Sequence, residues 1–154
     1  MIALINPPGI RNFSGLQPAT SPNPPVGLAY IAGALKEKNY EYEVIDAPGI
    51  DLENIVRFSH KSFKDTDKFY YQGISPEDVV KKIPENTKII GISCLFSVNW
   101  ILTNRIAYLA RKKFPSAILV LGGEHGSACP EYCLDNSAFD IIAVGEGETL
   151  FVNL

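Results

Sequence analysis

The sequence predicts an α/β fold: a doubly wound, five-stranded parallel sheet flanked by helices. Short apolar runs alternate along the chain with longer stretches that carry helix caps and helical periodicity, which is the order of elements in such folds. The first run, Ile2–Ile5, is continuously apolar, as expected of a strand buried on both faces. The chain has 154 residues, of which 46% are hydrophobic, so it is the size of one domain with a single core.

Five apolar runs that end at turn residues are predicted to be the strands. They cover residues 2–5, 41–46, 88–94, 117–121 and 139–144. With the strands numbered along the chain, the expected order across the sheet is 2-1-3-4-5, as in Rossmann-like and flavodoxin-like domains. In such sheets ligands bind outside the carboxyl ends of the strands, at the switch point between the first and third.

Helix signals separate these runs. Pro25 suits the first turn of one helix, and Ser75-Pro76-Glu77-Asp78 forms a capping box at the start of another. Further helices are predicted to begin at 97, to cover 127–134 and to begin again at 149. Residues 6–25 are rich in proline and are predicted to form a loop. Residues 50–73 have no clear period and are interpreted as an insertion.

Composition excludes several classes of partner. The net charge of −3 and the pI of about 5.4 leave no basic field that would hold nucleic acid or an anionic membrane. No apolar run reaches the roughly 18 residues of a membrane span, and the N-terminus lacks the basic region of a signal peptide. The three cysteines, Cys94, Cys129 and Cys133, are too few and odd in number for a disulfide framework. A cytoplasmic location is therefore expected.

Small residues dominate the predicted strand ends. Ser93 and Leu95 end the third strand, and Gly122-Gly123 ends the fourth. A glycine pair removes two Cβ atoms beside a compact hydroxyl, which would open a slot between adjacent strands for a flat heterocycle. The alternative is that Ser93 is only a small strand residue and that the two glycines form a tight turn.

Six stretches match one known family in order along the chain. They are Ile5–Pro8, Pro24–Ala32, Val44–Ala47, Ile90–Ser93, Leu121–His125 and Val144–Glu148. Together they resemble the N-terminal cobalamin-binding domain of the cobalamin-dependent radical S-adenosylmethionine enzymes. The resemblance covers residues 1–154 as one domain, except for the insertion at about 50–73.

The resemblance implies a cobalamin-binding module. The nucleotide tail of the cofactor would lie in the slot beside Ser93, Leu95, Gly122 and Gly123, and the corrin ring would lie on the rim. No catalytic residue is expected in this domain, and no metal ligand. The residues implied to bind the cofactor are Asn6, Pro7, Pro8, Ser93, Leu95, Phe96, Ser97, Gly122, Gly123, Glu124, His125, Gly126, Gly145, Glu146, Gly147 and Glu148.

One departure from the wider superfamily concerns the cobalt ligand. Other cobalamin-binding domains carry Asp-x-His-x-x-Gly after the first strand, whereas residues 6–11 here read Asn-Pro-Pro-Gly-Ile-Arg. The resemblance therefore implies that cobalamin is held base-off, without a histidine below the cobalt. His125 follows the fourth strand and has three interpretations: a cobalt ligand, a hydrogen-bonding residue on the rim, or a structural residue at a helix start.

The resemblance also implies a radical S-adenosylmethionine domain of the same chain, downstream of Leu154, so that the sequence is expected to be a fragment. S-adenosylmethionine and a 4Fe–4S iron–sulfur cluster would belong to that domain. The whole enzyme would transfer methyl groups or rearrange a ring. Cys129 and Cys133 do not complete the Cys-x-x-x-Cys-x-x-Cys cluster motif, because the third position is Asn136. They are expected to pack as small apolar residues.

Two other classes stay open. A domain of the same fold that binds no cofactor and only docks a partner has the same sequence signals. Alternatively, Cys94 near Glu124 and His125 would suggest a cysteine-nucleophile hydrolase or amidotransferase, although the Gly-x-Cys-x-Gly elbow is missing. A phospho-receiver is disfavoured because Asn6 replaces its acidic cluster and Gly145 its lysine. A flavin mononucleotide module is disfavoured because prolines offer no N–H to a phosphate.

Overall fold

The computed structural model describes residues 1–12, 24–60 and 69–154. The strands are β1 (Ile2–Asn6), β2 (Gly9–Asn12), β3 (Tyr42–Asp46), β4 (Ile55–Arg57), β5 (Phe69–Gln72), β6 (Ile89–Ser93), β7 (Ile118–Gly122) and β8 (Ile141–Ile142). The helices are α1 (Val26–Glu37), α2 (Ala47–Ile50), α3 (Pro76–Lys82), α4 (Trp100–Lys113), α5 (Glu124–Ala128), α6 (Pro130–Asp135) and α7 (Gly147–Asn153).

Five of the strands form one sheet in the order β3-β1-β6-β7-β8. Every neighbouring pair in it is parallel. The predicted order 2-1-3-4-5 is therefore confirmed, and so is the doubly wound α/β fold. The chain reverses its direction of winding between β1 and β6, which places the switch point at the carboxyl ends of those two strands.

Helices cover both faces of this sheet because successive side chains of a strand point to opposite faces. Ile2 and Leu4 of β1 pack with Leu28 and Leu35 of α1 and with Phe151 of α7. The alternate residues of β1 face a larger core formed with α3, α4 and α6. The β1, α3, α4 and α6 members of that core are Ala3, Ile5, Val79, Val80, Trp100, Ile106, Ala107, Ala110 and Cys133.

A second, smaller sheet corrects the prediction for two stretches. Residues 9–12 lie within the predicted loop and 55–57 and 69–72 within the predicted insertion, yet they form an antiparallel sheet in the order β2-β5-β4. The side chain of buried Gln72 in β5 adds two bonds to the backbone pairing of this sheet: its Nε2 donates to the Leu52 carbonyl at 2.6 Å, and its Oε1 accepts from Arg11 Nε at 3.1 Å. Polar contacts of this kind leave no apolar period in the sequence. The remaining parts of both stretches, residues 13–23 and 61–68, lie outside the described residues.

The ends of several elements also differ from the predictions. The run 139–144 contains only a two-residue strand, although backbone bonds from Asp140 to Leu119 (2.9 Å) and from Ala143 to Leu121 (2.7 Å) continue the pairing on either side. The single helix predicted at 127–134 is two helices, because Cys129 between them has a φ of −145°. Pro130 then starts α6, at a position that suits a residue without an N–H.

The capping box predicted before α3 is confirmed. The Ser75 hydroxyl accepts from the Asp78 amide at 3.1 Å and donates to the Asp78 carboxylate at 2.7 Å. Pro76 occupies the first helical turn. No helix in the described part of the chain is both long and apolar enough to cross a membrane.

We predict that Ser75→Ala lowers the free energy of unfolding by about 1 kcal/mol, because the Asp78 amide loses its acceptor. Urea unfolding followed by circular dichroism measures the change. Ser116→Ala is the matched control, since Ser116 is exposed in the turn before β7, and its effect is expected to stay within about 0.5 kcal/mol. Equal losses in the two variants would show that the cap contributes nothing specific.

Candidate functional site

A cavity of about 390 Å³ lies at the carboxyl edge of the main sheet, on the face covered by α1 and α7. Its volume falls within the range of roughly 300–1,000 Å³ that small-molecule sites occupy. It touches the ends of β1 and β6, where the topology predicts a ligand. The lining residues are Asn6, Pro24, Pro25, Val26, Gly27, Leu28, Ile31, Gly91, Ile92, Ser93, Leu95, Gly122, Gly123, Ala143, Gly145, Glu146, Gly147, Glu148 and Phe151.

The open part of the cavity lies over the last residues of β6 and β7. Ser93 and Gly122 are direct partners in the parallel register of these strands. A Cβ atom placed on Gly122 would meet nothing within 4 Å. The slot that the sequence predicts between these strand ends is therefore present, and the absence of a side chain at Gly122 keeps it open.

The inner end of the cavity is closed by an aromatic ring. Gly91 lies two residues before Ser93 on the same face of β6, and a Cβ on Gly91 would come within 2.4 Å of Phe151 Cζ and 3.3 Å of Leu4 Cδ2. The Phe151 ring of α7 thus fills the space that Gly91 leaves. The cavity consequently opens above Phe151 and does not extend further along the strands.

Gly123 serves a different purpose from its neighbour. Its φ is +97°, and a Cβ on it would lie 2.7 Å from the Cys94 carbonyl oxygen. The Cys94 amide donates to the Gly122 carbonyl at 2.8 Å, and the Cys94 carbonyl accepts from the His125 amide at 3.1 Å. Only glycine fits this turn without strain, because a side chain would be forced into the backbone of the adjacent strand. Of the two interpretations of the glycine pair, the open slot therefore applies to Gly122 and the tight turn to Gly123.

The rim of the cavity is formed by the turn between β8 and α7. Gly145 has a φ of +94°, and a Cβ on Gly147 would lie 2.9 Å from Ile31 Cδ1. The start of α7 thus packs closely against α1. Glu146 is exposed and Glu148 half-buried, so this turn places two carboxylates beside the opening. Across the cavity, Asn6 Nδ2 donates to Asp46 Oδ1 at 2.7 Å.

The structure adds lining residues that the sequence prediction did not name. The largest group is the start of α1, from Pro24 to Leu28 together with Ile31. These residues could have been predicted from the order of elements, because a helix that follows the first strand of a parallel sheet starts at the carboxyl edge and its first turn borders the ligand site. Phe151 had no such signal, because its place depends on how α7 packs.

Seven of the sixteen predicted residues do not line the cavity. Pro7 and Pro8 are buried, and Phe96 and Glu124 are exposed. The Ser97 and His125 side chains lie on the opposite side of the sheet, where Gly126 also packs against Leu121. The other nine, which include Ser93, Gly122 and the turn 145–148, are brought together. Cofactor contact by any of the sixteen stays a prediction.

His125 and Cys94 are both buried, and burial affects the chemistry of each. The His125 ring lies 4.9 Å from the Trp100 ring, and its Nδ1 is 3.0 Å from Ser97 Oγ. Burial lowers the pKa of His125, which favours the neutral imidazole. Burial also raises the pKa of Cys94 to about 11, so its thiol stays protonated near neutral pH. A buried, protonated Cys94 is a poor nucleophile, which disfavours the hydrolase alternative.

The chain matches a family model and named relatives over most of its length. Residues 16–154 match the family model described as a B12 binding domain. The chain is 32% identical over 129 residues to cytidylyl-2-hydroxyethylphosphonate methyltransferase of Streptomyces wedmorensis, a match that covers 83% of the chain and 23% of that protein. It is 29% identical over 133 residues to anaerobic magnesium-protoporphyrin IX monomethyl ester cyclase of Cereibacter sphaeroides, covering 85% of the chain and 18% of the cyclase. The chain thus spans less than a quarter of the length of these curated relatives.

We predict that alanine substitutions of the two adjacent glycines change the free energy of unfolding by different amounts. Gly123→Ala is expected to lower the free energy of unfolding by about 1–3 kcal/mol, because alanine at positive φ is strained and its Cβ meets the Cys94 carbonyl. Gly122→Ala, the matched control, is expected to change it by less than about 0.5 kcal/mol, because its Cβ enters open space. Urea unfolding of both variants is the measurement. A loss at Gly122 as large as that at Gly123 would mean that the cavity is not open there.

Proposed function

The chain belongs to the B12-binding domain family, and from this we propose that it holds cobalamin with the nucleotide tail in the cavity beside Ser93 and Gly122. The corrin ring would then lie on the rim formed by Asn6 and the turn 145–148. The observation that carries this proposal is the open space over Gly122, which a single Cβ would begin to fill.

The residues around the cavity suit a flat heterocycle with a polar edge. Leu28, Ile31 and Ala143 provide apolar walls, and the Ser93 hydroxyl lies at the floor, where it can donate or accept one hydrogen bond. Glu146 and Glu148 at the opening can accept hydrogen bonds from the amide groups of a corrin. Apolar walls with a few placed polar groups are the usual composition of a cofactor site.

The positions of the two histidines support binding without a protein ligand to the cobalt. The chain has two histidines, and neither lines the cavity. His125 is buried beside Trp100, within the core on the opposite face of the sheet, and His60 follows β4 of the small sheet. The residues after β1, where the superfamily carries its ligand, are Pro7 and Pro8. We infer that this chain leaves the lower face of the corrin without an imidazole.

The relatives suggest how the bound cofactor is used. One of them is named a methyltransferase and the other a cyclase, and both are several times longer than this chain. When bound, cobalamin supplies a cobalt centre that can carry a methyl group. We infer that this domain presents the upper corrin face to a radical S-adenosylmethionine domain of the same polypeptide, where S-adenosylmethionine and an iron–sulfur cluster would reside. Methyl transfer is the reaction we favour, because the relative with the higher identity is the methyltransferase.

We predict that Gly122→Leu weakens binding of hydroxocobalamin by at least about tenfold, because the leucine side chain occupies the space proposed for the tail. Gly33→Leu is the matched control: Gly33 is exposed on α1, outside the cavity, and its Cβ would also meet nothing within 4 Å. Equilibrium dialysis of the coloured cofactor measures both affinities. If the unsubstituted chain retains no hydroxocobalamin, or if the two variants bind alike, the proposal fails.

A separate experiment tests whether a nitrogen base is bound to the cobalt on the lower face of the corrin. Cob(II)alamin bound to the chain is expected to give an electron paramagnetic resonance spectrum without nitrogen splitting of the cobalt lines, because the benzimidazole of the tail would lie in the cavity and neither histidine lines it. Free cob(II)alamin at neutral pH, in which the benzimidazole is the ligand, is the reference spectrum. Threefold splitting in the bound sample would show that a nitrogen base remains below the cobalt, which contradicts the base-off assignment.

A further inference from the structure

Three side chains with metal-binding atoms meet on the side of the sheet opposite to the cavity. His125 of α5, Cys129 between α5 and α6, and Cys133 of α6 follow one another at intervals of four residues. Their ligand atoms all lie within 4.8 Å of one another. From this arrangement we infer that His125, Cys129 and Cys133 bind one divalent cation of the zinc class. The inference is independent of cobalamin binding.

The distance between the two sulfurs matches an edge of a tetrahedral zinc site. Zinc bonds of about 2.3 Å to sulfur and 2.0–2.1 Å to nitrogen imply edges of roughly 3.8 Å between two sulfurs and 3.6 Å between sulfur and nitrogen. Cys129 Sγ lies 3.9 Å from Cys133 Sγ, and 3.7 and 3.9 Å from the two ring nitrogens of His125. The sulfur–sulfur distance thus already suits a zinc site. Cys129 Sγ, however, is almost equally far from the two nitrogens and so lies beside the imidazole, which means that the His125 ring must turn before Nε2 points at a shared ion.

The backbone holds the three ligands in place. The Cys129 amide donates to the His125 carbonyl at 3.2 Å, and the Cys133 amide donates to the Cys129 carbonyl at 3.0 Å. These bonds span the junction at which α5 ends and Pro130 starts α6. Two helical turns are thus joined with their ligands on one side, although the helix itself is interrupted at Cys129.

His125 also has the outer partner that metal-bound histidines usually have. Its Nδ1 lies 3.0 Å from Ser97 Oγ, while its Nε2 lies 3.9 Å from Cys129 Sγ. With Nδ1 donating to Ser97, the lone pair of Nε2 is available to the ion. A hydrogen bond of this kind fixes the tautomer and the ring orientation of a metal-bound imidazole. The nearby Trp100 ring restricts the imidazole further.

The ligand types select the class of metal. Thiolate and imidazole favour zinc and similar borderline ions over magnesium or calcium, which prefer oxygen. Three protein ligands leave a fourth position for water, as in zinc sites with a Cys₂His set. The Cys-x-x-x-Cys-x-x-Cys motif requires a third cysteine downstream of Cys133, at a position occupied by Asn136. The third ligand proposed here lies upstream of the cysteine pair.

A spectroscopic titration tests the site. The cobalamin-free chain, kept reduced with a phosphine, is titrated with Co²⁺ as a probe for zinc. We expect thiolate-to-cobalt charge-transfer absorption that saturates at one ion per chain and disappears when Zn²⁺ is added. Cys129→Ala is expected to weaken binding by at least about tenfold, because it removes the ligand shared by both short edges. Cys94→Ala is the matched control, because Cys94 is a buried thiol outside the group.

The outcomes of the Co²⁺ titration distinguish a metal site from its absence. Saturable absorption that is lost in Cys129→Ala and kept in Cys94→Ala supports it. Absence of the absorption, or equal binding by the two variants, overturns it. If Cys129→Ala does not fold, alkylation of the unsubstituted chain replaces the variant: Zn²⁺ is expected to slow modification of Cys129 by at least about tenfold. An unchanged rate would then refute the site.

Discussion

Two glycines on one face of β6 and β7, Gly91 and Gly122, determine what can pack against this part of the main sheet. At Gly91 the missing side chain admits the Phe151 ring, which anchors α7 against Leu4 and the core beneath α1. One row closer to the carboxyl edge, a Cβ position on Gly122 has no atom of the described residues within 4 Å, so the space of its missing side chain stays open. A glycine in a strand therefore lets an aromatic ring complete the core at Gly91 and leaves room for a ligand at Gly122.

The position of the cavity follows from the way the chain winds. Parallel strands bring all their carboxyl ends to one edge, and the reversal between β1 and β6 separates the loops that leave that edge. The first turn of α1 and the turn before α7 then face each other across the gap. Close packing of Gly147 on Ile31 fixes the distance between these two helices. The site is thus a property of the whole sheet and not of a single motif.

The sequence was sufficient to predict the strand order and the open slot, because both depend on local patterns: apolar runs that end at glycine or serine. It was not sufficient for the small antiparallel sheet, whose backbone pairing is supported by polar contacts of Gln72 and is not marked by an apolar period. Nor could it place Phe151, whose partner Gly91 lies far away along the chain. His125 illustrates the same limit, since its side chain turns away from the cavity although its residue follows a strand end.

The central claim is that the cavity over Ser93 and Gly122 receives the nucleotide tail of cobalamin. Competition between cobalamin and cobinamide, a corrinoid that lacks this tail, is the most direct measurement. Burial of the tail predicts that the chain binds cobalamin at least about tenfold more tightly than cobinamide. Equal affinities for the two corrinoids would contradict the account, because the cavity would then contribute nothing to recognition.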